Sequence, residues 1–426
     1  MKHPGMSVGF VGIAALVILA LFLGGCNSAR EADDVGYIMI IGVDKGSDGK
    51  QKVTYQIAVP RWTKADTSNA SGMGGGQGSS GEPWVISTIW TPGPAETRML
   101  LNSTMSRYPL VSHINAYIFS EEVAREGLGS RISYLVRSRE FRETMFLLIV
   151  RGSVEEYIKN NKPALETYVY KFYESTFLSA DESGYYMRVH FHDFYTRLKN
   201  HGGSAYAAYT GLNPYTGSDK PAGAKTPEQT GPPYLPGGIP RTATSKAGEF
   251  LGLALFRGDK MVGVLNSDET RAVAILQGKL SSGFIGLADP LQPEKETVNL
   301  KFRPESQIHA DLNRGVPVFH VKVLIEGEIL GATSGIPYEA PEYRNKLEDQ
   351  LAKLFTEQIR NMIRHTQELG TDPVGFGLYL RPKFRDTGEM AKADLNSLYQ
   401  KADVQVQVTA RINTGLQWRT VPPKNQ

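Results

Sequence analysis

The sequence predicts an α+β protein, a mixed α/β body of two or three lobes, each a small sheet packed with helices. Three observations carry that expectation. Runs rich in β-branched and aromatic residues recur from Tyr37 to Ile412 and are interleaved with stretches of helical spacing. The chain has 426 residues, which corresponds to two or three domains at roughly 150 residues each. Hydrophobic residues make up 41% and charged residues 21%, globular material with enough apolar side chain to build real cores. That composition excludes a wholly disordered chain, a collagen-like fibre and a multi-span membrane protein.

The N-terminus reads as an export signal. Lys2 supplies a positive start, and Val8 to Gly25 contains no charged residue. The run is at the lower limit for spanning a bilayer, so its end decides between anchor helix and cleaved signal. Leu23-Gly24-Gly25-Cys26 places an apolar residue three before a Cys and small residues directly before it. A lipoprotein signal peptidase needs that arrangement, because small side chains let the extended backbone enter its cleft while Cys26 accepts the diacylglyceryl group. The charges that follow (Arg30, Glu31, Asp33 and Asp34) form no positive stop-transfer cluster. Residues 1–25 are therefore expected to be a lipoprotein signal peptide and Cys26 the lipidated first residue of the mature chain. Cys26 is the single cysteine, which leaves no partner for an intrachain disulfide and no thiolate set for zinc or an iron–sulfur cluster.

A first domain is expected over 26–201. Tyr37–Val43 and Val53–Val59 read as a hairpin around the turn formers Asp44 to Lys50. Residues 63–83, dominated by Gly, Ser, Asn and Thr, read as a flexible insertion. Strands are expected at Trp84–Trp90, His113–Phe119 and Met145–Val150. Helices are expected at Ala95–Ser106, from Ser120 with Glu121 and Glu122 in its first turn, near Ser130–Arg137, and from a capping box at Ser153-Val154-Glu155-Glu156 on toward Asn200. The stretch 202–248 carries seven prolines among Gly and Thr and reads as a linker. A second domain follows over 249–420. It holds a hairpin at Glu249–Phe256 and Met261–Leu265, a helix capped by Ser267 or Asp268, and strands at Val298–Phe302 and Val318–Ile325. A long helix over Pro341–Glu368 and a closing strand from Val404 complete it. Leu347, Leu351, Leu354, Phe355, Ile359, Met362 and Ile363 fall three and four apart, which marks one face of that helix as core.

Lys plus Arg is 47 against 44 for Asp plus Glu, a net charge of +3, too little field to capture nucleic acid by charge alone. No catalytic centre is visible. The single Gly-x-Ser-x-Gly match, Gly5 to Gly9, lies in the signal peptide, and Ser47-Asp48-Gly49-Lys50 lies in a hairpin turn where no catalytic Ser-x-x-Lys sits. The glycine-rich stretch after residue 71 has no Gly-Lys-Ser/Thr ending, so no phosphate loop is supported. His190-Phe191-His192-Asp193, with His201 nearby, is the best metal candidate. Its short spacing matches no metallohydrolase pattern, and these histidines are expected to be structural. Arg137-Ser138-Arg139-Glu140-Phe141-Arg142 reads as a salt-bridged surface, with an anion or lipid-headgroup site as the sharper alternative. The sequence thus assigns no catalytic, cofactor-binding or metal-ligating residue.

Several stretches together resemble the spore germination Ger(x)C lipoprotein family, the C subunits of nutrient germinant receptors. Gly42-Val43-Asp44-Lys45 after the lipobox looks like that family's mature N-terminus, and Phe119 to Leu128 looks like its helix after a central strand. Arg137 and Arg142-Glu143-Thr144 fall where the family carries arginines. Leu253 to Gly263, Glu269-Thr270 through Lys279, and Asp372-Pro373-Val374-Gly375-Phe376-Gly377 are similar as well. The 63–83 insertion, the Pro-rich linker and the missing Trp after Cys26 depart from the family pattern. The resemblance implies a non-enzymatic subunit that needs no cofactor and works with two polytopic membrane subunits. It implies attachment to the outer face of the cytoplasmic membrane, in spores the inner membrane, and a body of three mixed lobes. The competing reading is a lipid-anchored solute-binding protein of a transporter, which needs two doubly wound lobes around a ligand cleft. Hairpin-rich lobes and a long Pro-rich segment fit that class badly.

Overall fold

The computed structural model describes residues 34–58, 83–166, 168–213, 233–239, 247–294, 296–313 and 315–413. The expected signal peptide, Cys26, the Gly5–Gly9 match and most of the 63–83 insertion lie outside the described residues.

The first half builds β1 (Val35–Lys45), β2 (Gln51–Ala58), β3 (Trp84–Thr91), α1 (Pro94–Thr104), β4 (Tyr108–Leu110), β5 (Ala116–Ser120), α2 (Glu121–Glu126), α3 (Gly129–Arg137) and β6 (Phe146–Val150). It continues with α4 (Val154–Asn160), α5 (Val169–Leu178), α6 (Ala180–Ser183), α7 (Phe191–Lys199) and β7 (Tyr206–Leu212). β1 and β2 form the expected hairpin, with Val43 opposite Val53. β5, β6 and β7 then add in parallel beside β1. Every residue of β5 and β6 is buried, as parallel strands covered on both faces require. The strand expected at His113–Phe119 begins only at Ala116, since Ile114 and Asn115 turn to bond Val111 and Met39.

The second half contains β8 (Gly248–Arg257), β9 (Lys260–Leu265), α8 (Ser267–Leu276), β10 (Gly283–Ala288), β11 (Thr297–Asn313), β12 (Val316–Ala332) and α9 (Pro341–Leu369). It ends with α10 (Phe376–Tyr379), α11 (Thr387–Lys392), α12 (Leu395–Gln400) and β13 (Asp403–Asn413). Here the structure departs from the expected linker. β7 lies inside the stretch assigned to a linker, and β8 pairs antiparallel with it, so β8 and β9 extend the first sheet in the order β3-β2-β1-β5-β6-β7-β8-β9, with β4 beside β1. The physical reason is that Tyr206-Ala-Ala-Tyr-Thr-Gly-Leu212 has no β-branched run to announce it. Its strand state comes from neighbours on both sides, with all but the last residue buried.

The second sheet has the order β10-β11-β12-β13. Its two central strands run 17 residues each, far beyond the short strands expected at 298–302 and 318–325. The register continues unbroken through Pro304, from Leu300↔Ile329 to Asn313↔Val316. Val298, Leu300, Phe302, Phe319, Val321, Val323 and Ile325 face inward, while Lys301, Glu305, Lys322 and Thr409 line the open face. Across the inner face lies α9, whose Leu347, Leu351, Phe355, Ile359 and Met362 are fully buried, so the expected stripe is core.

Gly252 shows how tightly β8 is held. Its φ is +84°, its N–H donates to Tyr185 O at 2.8 Å, and a Cβ there would overlap the backbone oxygen of Leu265. Gly252→Ala combines a left-handed backbone with a clash against immobile backbone. It is expected to destabilise by about 2 kcal/mol or more, read as a lowered urea midpoint at unchanged slope. A wild-type midpoint would show that β8 can shift.

Candidate functional site

The motifs singled out in the sequence fall at four polar junctions rather than at one cleft. The first is built by Gly42, Asp44 and Lys45 at the end of β1. Asp44, almost fully buried, accepts from the backbone N–H of Val154 at 2.8 Å and of Glu155 at 2.9 Å, and from Ser153 Oγ at 3.3 Å. Ser153 caps α4 as expected by accepting from Glu156 N–H, and Asp44 on β1 takes the first two amides of the helix in place of the expected capping box. Gly42 is required by close approach, because a Cβ would overlap Val154 and lie 2.7 Å from Ile158 Cδ1. Lys45 reaches the other way, to Glu122 at 3.1 Å and Glu126 at 2.8 Å on α2.

At the second junction the β8–β9 turn meets the break between α2 and α3. Asp259 O accepts from Leu128 N–H at 2.9 Å and Asp259 Oδ2 from Gly129 N–H at 3.0 Å. Gly127 turns the chain there at φ +125°. The third joins the two sheets. Asp372, buried, accepts from Gly375 N–H at 2.7 Å and Gly377 N–H at 2.8 Å. Ser204 N–H donates to Asp372 O at 2.7 Å, and Asp372 N–H donates back to Ser204 Oγ at 2.8 Å. Arg197 and Gln277 both donate to Pro373 O. Burial pushes the Asp372 carboxyl up to about 6, against the opposing pull of the backbone N–H groups it accepts from.

α8 meets α9 at the fourth junction. The helix is capped by Asn266, whose side chain accepts from Asp268 and Glu269 N–H, and not by Ser267 or Asp268 as expected; Glu269 bonds back to Asn266 N–H and completes a capping box. Glu269 also accepts from His365 Nδ1 at 2.8 Å, which raises the imidazole above its ordinary value despite partial burial. Arg271, only 1% exposed, donates to Asp268 and to Gln358 at 3.0 Å each and lies over the rings of Tyr185 and Phe355. A cleft of about 440 Å³ opens alongside, lined by Asn266, Glu269, Arg364 and His365 among others.

The histidine candidates do not converge. His190 takes the extended N-cap position of α7, stacks on Phe146 and pairs with Asp193 at 3.5 Å, while His192 turns to Glu143 at 3.0 Å. The hydrogen bond from His190 holds Asp193 down at about 2. Among the described residues no group of three His, Cys, Asp or Glu side chains could hold a metal ion. Ser47 to Lys50 form the β1–β2 turn, where Lys50 N–H bonds Ser47 O at 3.0 Å. The Arg137–Arg142 stretch is salt-bridged only in part. Glu140 pairs with Arg98, and Arg137, Arg139 and Arg142 stand exposed. Asp44, Asp259 and Asp372 lie inside the motif stretches of the sequence, with nothing local to show the amides they cap. A short acidic residue one or two positions after a Gly is the signal available for each, since such residues accept from free backbone N–H groups.

Residues 28–212 match the family described as spore germination protein N-terminal domain, and residues 251–415 match spore germination B3/GerAC-like, C-terminal. The chain is similar to spore germination protein KC of Bacillus subtilis, 25% identical over 422 residues that cover 97% of this chain and 98% of that one. It is similar to spore germination protein B3 of the same organism, 20% identical over 405 residues covering 94% and 96%. The crystal structure of the GerBC protein shares the fold, with a TM-score of 0.53 at 16% identity, over 87% of this chain and 96% of that one. The chain belongs to the Ger(x)C family of germinant receptor C subunits.

Two titrations follow from the junctions. Both folded-state values are raised, so each group's stabilisation is fully present below its ordinary value and is lost as pH rises through the raised one. For Asp372 that window runs up to about 6, and for His365 it lies above 6.5. Asp372→Asn is expected to flatten the fall in unfolding free energy across the first window. Glu269→Gln, which keeps the capping box, is expected to flatten the second. Urea titrations across weakly acid to weakly alkaline pH check both, and slopes equal to wild type would remove these groups from the linkage. Replacing His190 and His192 together with Gln is expected to leave the metal content of the purified protein unchanged and to cost at most about 1 kcal/mol. A stoichiometric metal lost in the double variant would contradict the pairing described above.

Proposed function

We propose that the chain is a lipid-anchored, non-enzymatic subunit of a spore nutrient germinant receptor that works by contact with two polytopic membrane subunits. The observation that carries this reading is the match to spore germination proteins along nearly the whole chain. The geometry supports it from another side. The most buried carboxylates of the motif stretches, Asp44 and Asp372, are engaged in capping backbone N–H groups, so their chemistry is spent on shape. A body whose polar groups fix its shape is suited to presenting surfaces. The diacylglyceryl group on Cys26 holds the body at the outer face of the cytoplasmic membrane, in the spore its inner membrane. Each buried methylene contributes about 0.8 kcal/mol to that attachment. Tethering raises the local concentration of the body near its partners, so each contact patch can be individually weak.

Cys26→Ala is expected to leave an unprocessed precursor and to abolish labelling by a fatty-acid analogue. Labelling that persists in the variant would sink the anchor. A chain starting at Asn27 is expected to melt cooperatively and yet fail to restore nutrient-triggered germination in spores lacking the native subunit. Full restoration at native abundance would show that tethering is not part of the mechanism.

A further inference from the structure

The surface around the start of β1 has a composition of its own. β1 enters the body at Val35, which pairs with Tyr108 of β4, and Arg107 stands immediately before that strand. Arg98 on α1 donates to both Tyr108 and Glu140, which draws the loop after α3 alongside the same strand. That loop and the last turn of α3 carry Arg137, Arg139 and Arg142, all exposed. Among the described residues none of these three, nor Arg107, has a carboxylate partner, whereas the two acids within the same stretch are taken, Glu140 by Arg98 and Glu143 by His192. Two apolar side chains stand in water on the same pair of helices, Met99 on α1 at 70% exposure and Val136, beside Arg137 in sequence, on α3 at 41%. α1 and α3 pack against each other, and α3 is pinned at its start by Asp259, so the group is held in place.

Unpaired guanidinium groups around exposed apolar side chains suit the boundary between water and lipid. The planar guanidinium accepts phosphate in a two-pronged fashion, a basic cluster is drawn to an anionic leaflet, and apolar side chains enter the headgroup layer. The tether selects this end of the body. From Cys26 to Val35 the chain can reach at most about 30 Å at ~3.4 Å per residue, so the start of β1 stays near the bilayer. We propose that the face formed by Arg107, Arg137, Arg139 and Arg142 with Met99 and Val136 docks on an anionic phospholipid bilayer and so sets the orientation of the body on the membrane. This rests on the acylation of Cys26 proposed above.

The test uses the full acylated protein in phosphatidylcholine vesicles, with and without phosphatidylglycerol as a third of the lipid. In Met99→Cys the introduced thiol is the single free one when Cys26 carries lipid, and a nitroxide placed there reports accessibility to oxygen and to a water-soluble nickel chelate. Nickel accessibility is expected to fall severalfold in the anionic vesicles. The fall should disappear at high salt and in R137Q/R139Q/R142Q. A label at Thr409→Cys, on the open face of the second sheet, should stay aqueous throughout. A single labelled thiol that remains aqueous in both vesicles overturns the orientation and leaves the anchor standing. Protection of the Met99 site that appears only when the polytopic subunits are added makes this face a protein contact and also overturns it. Two labelled thiols per chain show Cys26 free, which removes the anchor and this orientation with it.

Discussion

Pairing of β7 with β8 is the constraint on which the rest of the molecule depends. The register from Tyr206↔Leu255 to Leu212↔Gly248 stitches the start of the second family domain to the end of the first. Without it the first sheet would end at β7 as an open parallel edge, a surface that folded proteins cover or close. With it, β9 completes the sheet, and its turn delivers Asp259 to the amides at the start of α3. α8 then leaves β9 and carries Arg271 and Glu269 to α9, so the position of the second sheet follows from the first.

The junctions share one solution to one problem. Each break between elements leaves backbone N–H groups that cannot bond within the helix or strand, and burial without partners is costly. Asp44 and Asp259 each supply a carboxylate from a distant stretch of chain to such amides, and Asp372 caps the amides of its own turn while its backbone bonds Ser204 across to the first sheet. Hydrogen bonds to a charged acceptor contribute about 1.5–3 kcal/mol each, and they also fix geometry, since a carboxylate satisfies two amides only at a set distance. Arg271 does the converse as a buried cation, held by Asp268, Gln358 and two aromatic rings. Such a group adds little net stability after its desolvation, but removing one partner strands the other. The packing of α8 on α9 is therefore sensitive to single polar substitutions.

This economy bears on function. In the family to which the chain belongs, the short motifs that recur along the sequence are here the fasteners between layers. Gly42 and Gly127 sit where a side chain would collide with Val154 and Asp259, so their task is close approach. What remains for interaction is the surface these fasteners hold still: the polar face of the second sheet, the cleft beside His365, and the arginine-rich end near the start of β1. Rigid presentation of separate patches suits a subunit whose contacts act together, because ordering costs are met in folding and not at each encounter.

The local signals in the sequence were enough to specify most elements. Alternation set the β1–β2 hairpin, the three-and-four spacing of Leu347 to Ile363 set α9, and Ser120 and Ser153 marked helix starts, because each of these is decided within a turn or two of chain. The mixed class followed from their order. Tertiary structure alone decided what depends on partners far away. β7 is a strand because β6 and β8 flank it, and β11 runs through Pro304 because β12 supplies a continuous register. Asp44 caps α4 across more than a hundred residues, which no local window contains. His190 and His192 could share a face on a strand, but the chain passes from extended to helical between them, so their rings part. The sequence by itself determined which residues could be core, cap or turn. Only folding decided which amide each carboxylate would meet and where one lobe ends, because pairing between strands distant in sequence is set by the packed whole.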